Sequence, residues 1–138
     1  MGESDIEYRA DRPRLADFLR LFEAVGWPVR RDDERLQRAI DSSWYAVCAY
    51  DGDRLVGMGR VIGDGFIHAL IVDVVVDPEW QGRGVGAGVM CRLVDRCREA
   101  GIGQVQLFCA RGKRGFYEKL DFGSRPEEAP GMELPELW

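Results

Sequence analysis

The chain has 138 residues, with 19 lysines and arginines against 24 aspartates and glutamates, for a formal net charge of −5. That length suits one domain over residues 1–138, because a split would leave each half short of core. The composition, 46% hydrophobic and 31% charged, is that of an ordinary soluble globular chain. No apolar run approaches the ~20 residues of a membrane span, and dispersed basic residues argue against a nucleic-acid surface.

In chain order, IEYRA (6–10) predicts a short first strand. Asp11 can cap a helix with Pro13 in its first turn, and Leu15, Phe18, Leu19, Phe22 and Val25 recur at helical spacing up to Gly26. A second helix is expected from about Asp33, carrying Leu36, Ala39 and Ile40. WYAVCAY (44–50) and RLVGMGRVI (54–62) flank the turn signal Asp51-Gly52 and predict a hairpin. FIHALIVDVVVD (66–77) is the strongest strand pattern in the chain.

A helix over about 82–100 follows, with Val85, Val89, Leu93 and Cys97 on one stripe. QVQLF (104–108) predicts a strand, KRGFYEKL (113–120) a short helix, and FGSRP (122–126) a last strand. The order β-αα-βββ-α-β-α-β implies an α/β fold, one mixed sheet with helices on both faces.

Between the strongest strand and the third helix, VVVDPEWQGRGVGAGVM places Gly82, Gly84, Gly86 and Gly88 at alternate positions. Each glycine inside a helix costs roughly 1 kcal/mol relative to alanine, so the backbone itself is in demand. A helix N-terminus presents unpaired N–H groups and the positive end of the helix dipole. Glycine lets that backbone close on a phosphate. The segment therefore predicts a phosphate or pyrophosphate cradle; close helix–sheet packing is the structural alternative.

GxxxxGK[ST] is absent, which excludes a P-loop. GRGVGA (82–87) fits the loose dinucleotide pattern, but its context does not. Three antiparallel strands come first, and the next strand ends in Cys109-Ala110-Arg111 without the ribose-binding acid.

Gln81-x-x-Gly84-x-Gly86 after VVVDPEW resembles the acyl-CoA signature of the GCN5-related N-acetyltransferases (GNAT). FYEKLDF (116–122) resembles that family's later motif, usually FYEKLGF. The resemblance covers residues 44–126 and implies acetyl-CoA as co-substrate and a primary amine, of a small molecule or a peptide, as acceptor. It further implies a strand splayed from its parallel neighbour. Val74, Val75 and Val76 would pair with the pantetheine arm, and Gln81, Gly82, Arg83, Gly84, Val85, Gly86 and Ala87 would hold the pyrophosphate.

By the same resemblance Tyr117 would sit near the sulfur as general acid. Asp121 departs from the family's glycine, which implies a changed turn after the last helix. The family's asparagine before that helix is missing, and RGKR (111–114) could meet the 3′-phosphate of CoA or form a solvated basic loop.

Direct acyl transfer in a ternary complex needs a neutral amine, an oxyanion donor and a proton for the thiolate. A strand amide near Val75 or Val76 could serve the oxyanion. Asp73, a carboxylate in an apolar strand, is the candidate base, since burial would raise its pKa; a bulge cap or a solvent-facing acid is the alternative. His68 falls on the opposite face by strict alternation, unless a bulge intervenes.

Cys48, Cys91, Cys97 and Cys109 show no CxxC spacing, so no metal is expected and free thiols in a cytoplasmic protein are. The charged N-terminus, with no apolar segment for secretion, points the same way. Trp27, Pro28 and the first two helices would border the acceptor, by family analogy. Leu134, Leu137 and Trp138 in the tail suggest a homodimer. The rival reading is a non-catalytic acyl-CoA-binding regulatory module of the same fold; a nucleotide-binding protein is the third.

Overall fold

The computed structural model describes residues 5–136, which fall into two compact units, up to Leu107 and from Phe108 onwards. Leu137 and Trp138 lie outside the described residues. The first unit holds a five-stranded sheet of β1 (Glu7–Arg9), β2 (Tyr45–Asp51), β3 (Arg54–Gly63), β4 (His68–Val76) and β5 (Gln104–Leu107), in that spatial order. All neighbours are antiparallel except β4 and β5, which run parallel. A parallel pair needs a crossover, and α3 (Val85–Glu99) supplies it.

Two helices lie between β1 and β2. α1 (Leu15–Val25) ends at Gly26, whose φ of 77° lets the N–H groups of Gly26 and Trp27 bond back to Glu23 and Phe22. Its start differs from expectation. Asp11 spends its carboxylate on the N–H of Arg12, and the helix begins at Leu15 with no side-chain cap. α2 (Asp33–Asp41) is capped by Asp32, which accepts from the N–H of Arg35.

The sheet buries both faces. On one, Cys48, Leu55, Met58 and Val75 pack with Phe18, Leu21 and Phe22 of α1 and Ile40 of α2. On the other lies α3. The strand residues flanking Met58 are Gly57 and Gly59, and a Cβ at Gly59 would fall 2.8 Å from Leu93 Cδ1 and 3.0 Å from Val89 Cγ1. These glycines let the helix lie directly on the strand. No helix among the described residues is long and apolar enough to cross a membrane.

Two irregularities in β4 position everything that follows. Met58 pairs with Val75 and Arg60 with Val72, so Gly59 alone faces both Asp73 and Val74. This is a β-bulge, and Asp73 carries its left-handed turn at φ 55°. On the other edge, pairing with β5 ends at Ile71–Leu107, whereas β4 continues to Val76.

The second unit contains α4 (Arg114–Glu118). Asp121 follows at φ 72°, with its N–H on the Glu118 carbonyl and that of Phe122 on the Tyr117 carbonyl. Asp121 thus adopts the left-handed conformation that glycine takes without cost. The last strand expected over 122–126 is absent. Gly123 and Pro126 weaken a strand, and the Arg125 guanidinium instead closes a turn on the Ala129 carbonyl.

Candidate functional site

The open edge of β4 is the first component. The N–H of Asp77 donates to Val56 of β3 at 2.8 Å, so the main chain of Asp77 points towards β3. Strand alternation turns the N–H and carbonyl of Val76 the other way, to the edge that β5 has left. The Val76 carbonyl already accepts from the Gln81 amide at 3.0 Å. Of the two amides expected near the oxyanion, that of Val76 faces the open edge, and that of Val75 faces β3 by the same alternation.

The loop after β4 is fastened at its root. Asp77 is buried, accepts from the N–H of Glu79 at 3.0 Å and so caps a 3-10 turn over Pro78–Trp80. Arg54 holds the same carboxylate at 3.0 Å, and Arg20 from α1 approaches it at 3.8 Å. The Arg83 guanidinium stacks over Trp80, 4.9 Å from the ring centre. The Asp-Pro step and the 77–79 spacing carry a legible capping signal, but the two arginines come from distant segments and could not be foreseen.

The alternating glycines divide their work. Gly82 and Gly84 have φ values of 77° and 84°, and a Cβ on either would meet no protein atom within 4 Å. Gly84 is the N-cap of α3 and offers no side chain to its first turn. The first helical bond runs from Gly88 N–H to the Gly84 carbonyl at 2.9 Å. The N–H groups of Val85, Gly86 and Ala87 therefore precede the first intrahelical bond and have no partner within the helix.

Gly88 is a packing glycine: a Cβ there would run into the Tyr8 ring and hydroxyl of β1, while Arg92 covers that ring at 3.9 Å. So the packing reading holds for Gly88, while Gly82 and Gly84 have no packing role of that kind. Residues 82–87 suit an anionic ligand in this respect: the donors are main-chain and grouped at one helix end.

Asp73 is not an isolated carboxylate. Its Oδ2 accepts from Arg60 Nε at 2.6 Å, and the same guanidinium donates to the Ala39 carbonyl at 3.1 Å and to Ser43 Oγ at 3.3 Å. Arg60 stands out in GMGRVI as a charge in an apolar strand, the same signal that singled out Asp73. His68 is exposed at the start of β4. β4 pairs regularly with β3 from Ala69 to Val72, and the bulge begins at Asp73 itself, whose left-handed backbone takes it out of the strict alternation.

In the second unit, Tyr117 is half-buried on α4, with Phe116 edge-on at 4.9 Å and Phe122 at 6.2 Å. Burial, and then the neighbouring Cys109, push its phenol above the ordinary value. It is a proton donor throughout the neutral range. Cys48 and Cys97 are buried, and burial pushes the Cys48 thiol up to about 12. Among the described residues no group of three or more His, Cys, Asp or Glu could hold a metal.

Comparison with known proteins places this geometry. The model of the acetyltransferase (GNAT) family matches residues 12–122. A chloroplastic serotonin N-acetyltransferase 2 from Oryza sativa is 40% identical over 116 residues, covering 81% of this chain and 58% of the relative. A chloroplastic GCN5-related N-acetyltransferase 1 from Arabidopsis thaliana is 38% identical over 117 residues, covering 81% and 57%. The chain thus spans rather more than half the length of these curated relatives.

Among solved structures, a GNAT-family acetyltransferase from Streptococcus pneumoniae superposes with a TM-score of 0.82 at 31% identity, covering 95% of this chain and 98% of that one. The mixed α/β architecture is common to both. The chloroplastic names of the plant relatives lend no support to the cytoplasmic location expected above.

Proposed function

The chain belongs to the acetyltransferase (GNAT) family, and on that premise we propose that it moves an acetyl group from acetyl-CoA to a primary amine by direct transfer in a ternary complex. One observation carries the reading: β4 runs free of β5 from Val72 to Val76 and leads straight into an uncapped α3 N-terminus with Gly82 and Gly84 before it. An extended amide-bearing arm suits the first part, as an added strand would. A pyrophosphate suits the second.

In this reading Val74, Val75 and Val76 line the pantetheine arm, and residues 82–87 hold the pyrophosphate. Arg83 adds a positive charge there, and Gln81 orients the entry by its bond to Val76. The Val76 amide is the proposed oxyanion donor, and one such donor is worth roughly 3 kcal/mol in the transition state. Tyr117, by its place in FYEKLDF, is the proposed acid that protonates the departing thiolate. Asp73 is the proposed base, with one oxygen held by Arg60 and the ammonium proton passing to the other.

The acceptor is a primary amine of a small molecule or a peptide. The rice relative's name puts serotonin first in any panel, followed by polyamines, amino acids, aminoglycosides and peptide N-termini. The test is release of CoA from acetyl-CoA against that panel. Amine-dependent release is the expected outcome. Acetyl-CoA binding without release for any amine would leave the non-catalytic regulatory module. Binding of NAD or ATP in preference to CoA would overturn both in favour of a nucleotide-binding protein.

A further inference from the structure

We propose that Arg60 is a positioning residue, which holds the left-handed bulge of β4 in place and so keeps the slot for the pantetheine arm open. The inference rests on the acyl-CoA reading of the open edge and adds the device that maintains it.

The bulge and the opening coincide. The last β4–β5 pair is at Ile71, and the bulge residues are Asp73 and Val74, two and three positions on. An extra residue on one strand bends it and increases its twist, and the bend comes where β4 loses its parallel neighbour. The open edge thus owes its direction to a backbone conformation that a residue with a Cβ resists, at φ 55° for Asp73.

What opposes relaxation is the ion pair. Arg60 comes from β3, one residue along from Gly59, which faces the bulge. Its Nε holds Asp73 Oδ2 at 2.6 Å, with the two side chains only 13% and 22% exposed. Its Nη1 is fixed in turn by the Ala39 carbonyl in the last turn of α2 and by Ser43 just beyond that helix. The strained residue is therefore tied to β3 and to the end of α2 at once. A guanidinium suits this task because its donors are rigidly forked. The glycine loop at 82–87 takes no part in this clamp.

That separation supplies the test. Calorimetry compares acetyl-CoA with 3′-phosphoadenosine 5′-diphosphate, the nucleotide part of CoA without its pantetheine arm. Wild-type protein comes first: failure to bind either probe would overturn the acyl-CoA reading, and this inference with it. Given wild-type binding, Arg60→Met should weaken acetyl-CoA about tenfold, within the range of coupled neighbouring residues, and leave the nucleotide probe unchanged. Equal loss for both probes would mean general destabilisation, and no loss would mean that the clamp is idle; either overturns the inference and spares the acyl-CoA reading.

Should Arg60→Met not fold, Asp73→Ala and Asp73→Gly decide the matter. Both remove the carboxylate, but only glycine adopts φ 55° freely. The inference requires Asp73→Gly to bind acetyl-CoA several-fold more tightly than Asp73→Ala, and equal affinities would overturn it.

Discussion

Two residues in the second unit carry separable predictions. Tyr117→Phe removes one oxygen and keeps the ring that packs against Phe116 and Phe122. If the hydroxyl protonates the thiolate, single-turnover acetyl transfer should fall by roughly 10²–10⁴ while acetyl-CoA still binds; an unchanged rate would reduce the tyrosine to packing. Its pKa is raised first by burial, so the phenol stays protonated to higher pH than a free one. The rate governed by this acid should accordingly hold past pH ~10 before it declines. Asp121 sits at φ 72°, where an L-residue is strained by about 1–2 kcal/mol and glycine is not. Allowing for the extra freedom glycine brings to the unfolded chain, Asp121→Gly should stabilise the fold by about 0.5–1 kcal/mol. Urea denaturation should show a higher midpoint with an unchanged slope.

The element proposed to bind the anion is the start of α3, and its glycines can be tested against a matched control. Gly84→Val places a branched side chain in open space at φ 84°, and Gly26→Val does the same at φ 77° beyond α1. Both variants bear similar backbone strain. Only the first fills the space in front of the Val85, Gly86 and Ala87 amides. Calorimetry should therefore find acetyl-CoA binding abolished in Gly84→Val and retained in Gly26→Val; equal affinities would remove the cradle. Gly88 would mislead such a test, because a side chain there strikes Tyr8 and disrupts packing. Gly82, Gly84 and Gly88, equivalent in the sequence pattern, thus differ in what lies opposite them.

For the whole molecule, Phe66 and Ile67 stand 79% and 59% exposed at the β3–β4 turn, and Leu134 in the tail is 75% exposed. Exposed apolar side chains of this size favour burial against a partner. We expect a homodimer, with light scattering at micromolar concentration returning twice the 15.6 kDa chain mass; a monomer mass would refute it. Elements set by local rules were legible in the sequence. Helical stripes, the Gly26 stop, the hairpin turn and the glycine-rich helix start all follow from neighbours within a few positions. The FYEKLDF motif, a run of neighbouring residues, was legible for the same reason. Tertiary structure alone decided the rest. The Asp73 bulge exists because β3 presents Gly59 opposite two residues, and the Arg60 clamp joins β3, β4 and the end of α2. Asp77 is held by arginines from α1 and β3. Register and charge pairing depend on which segments the folded core brings side by side, and no local spacing encodes that.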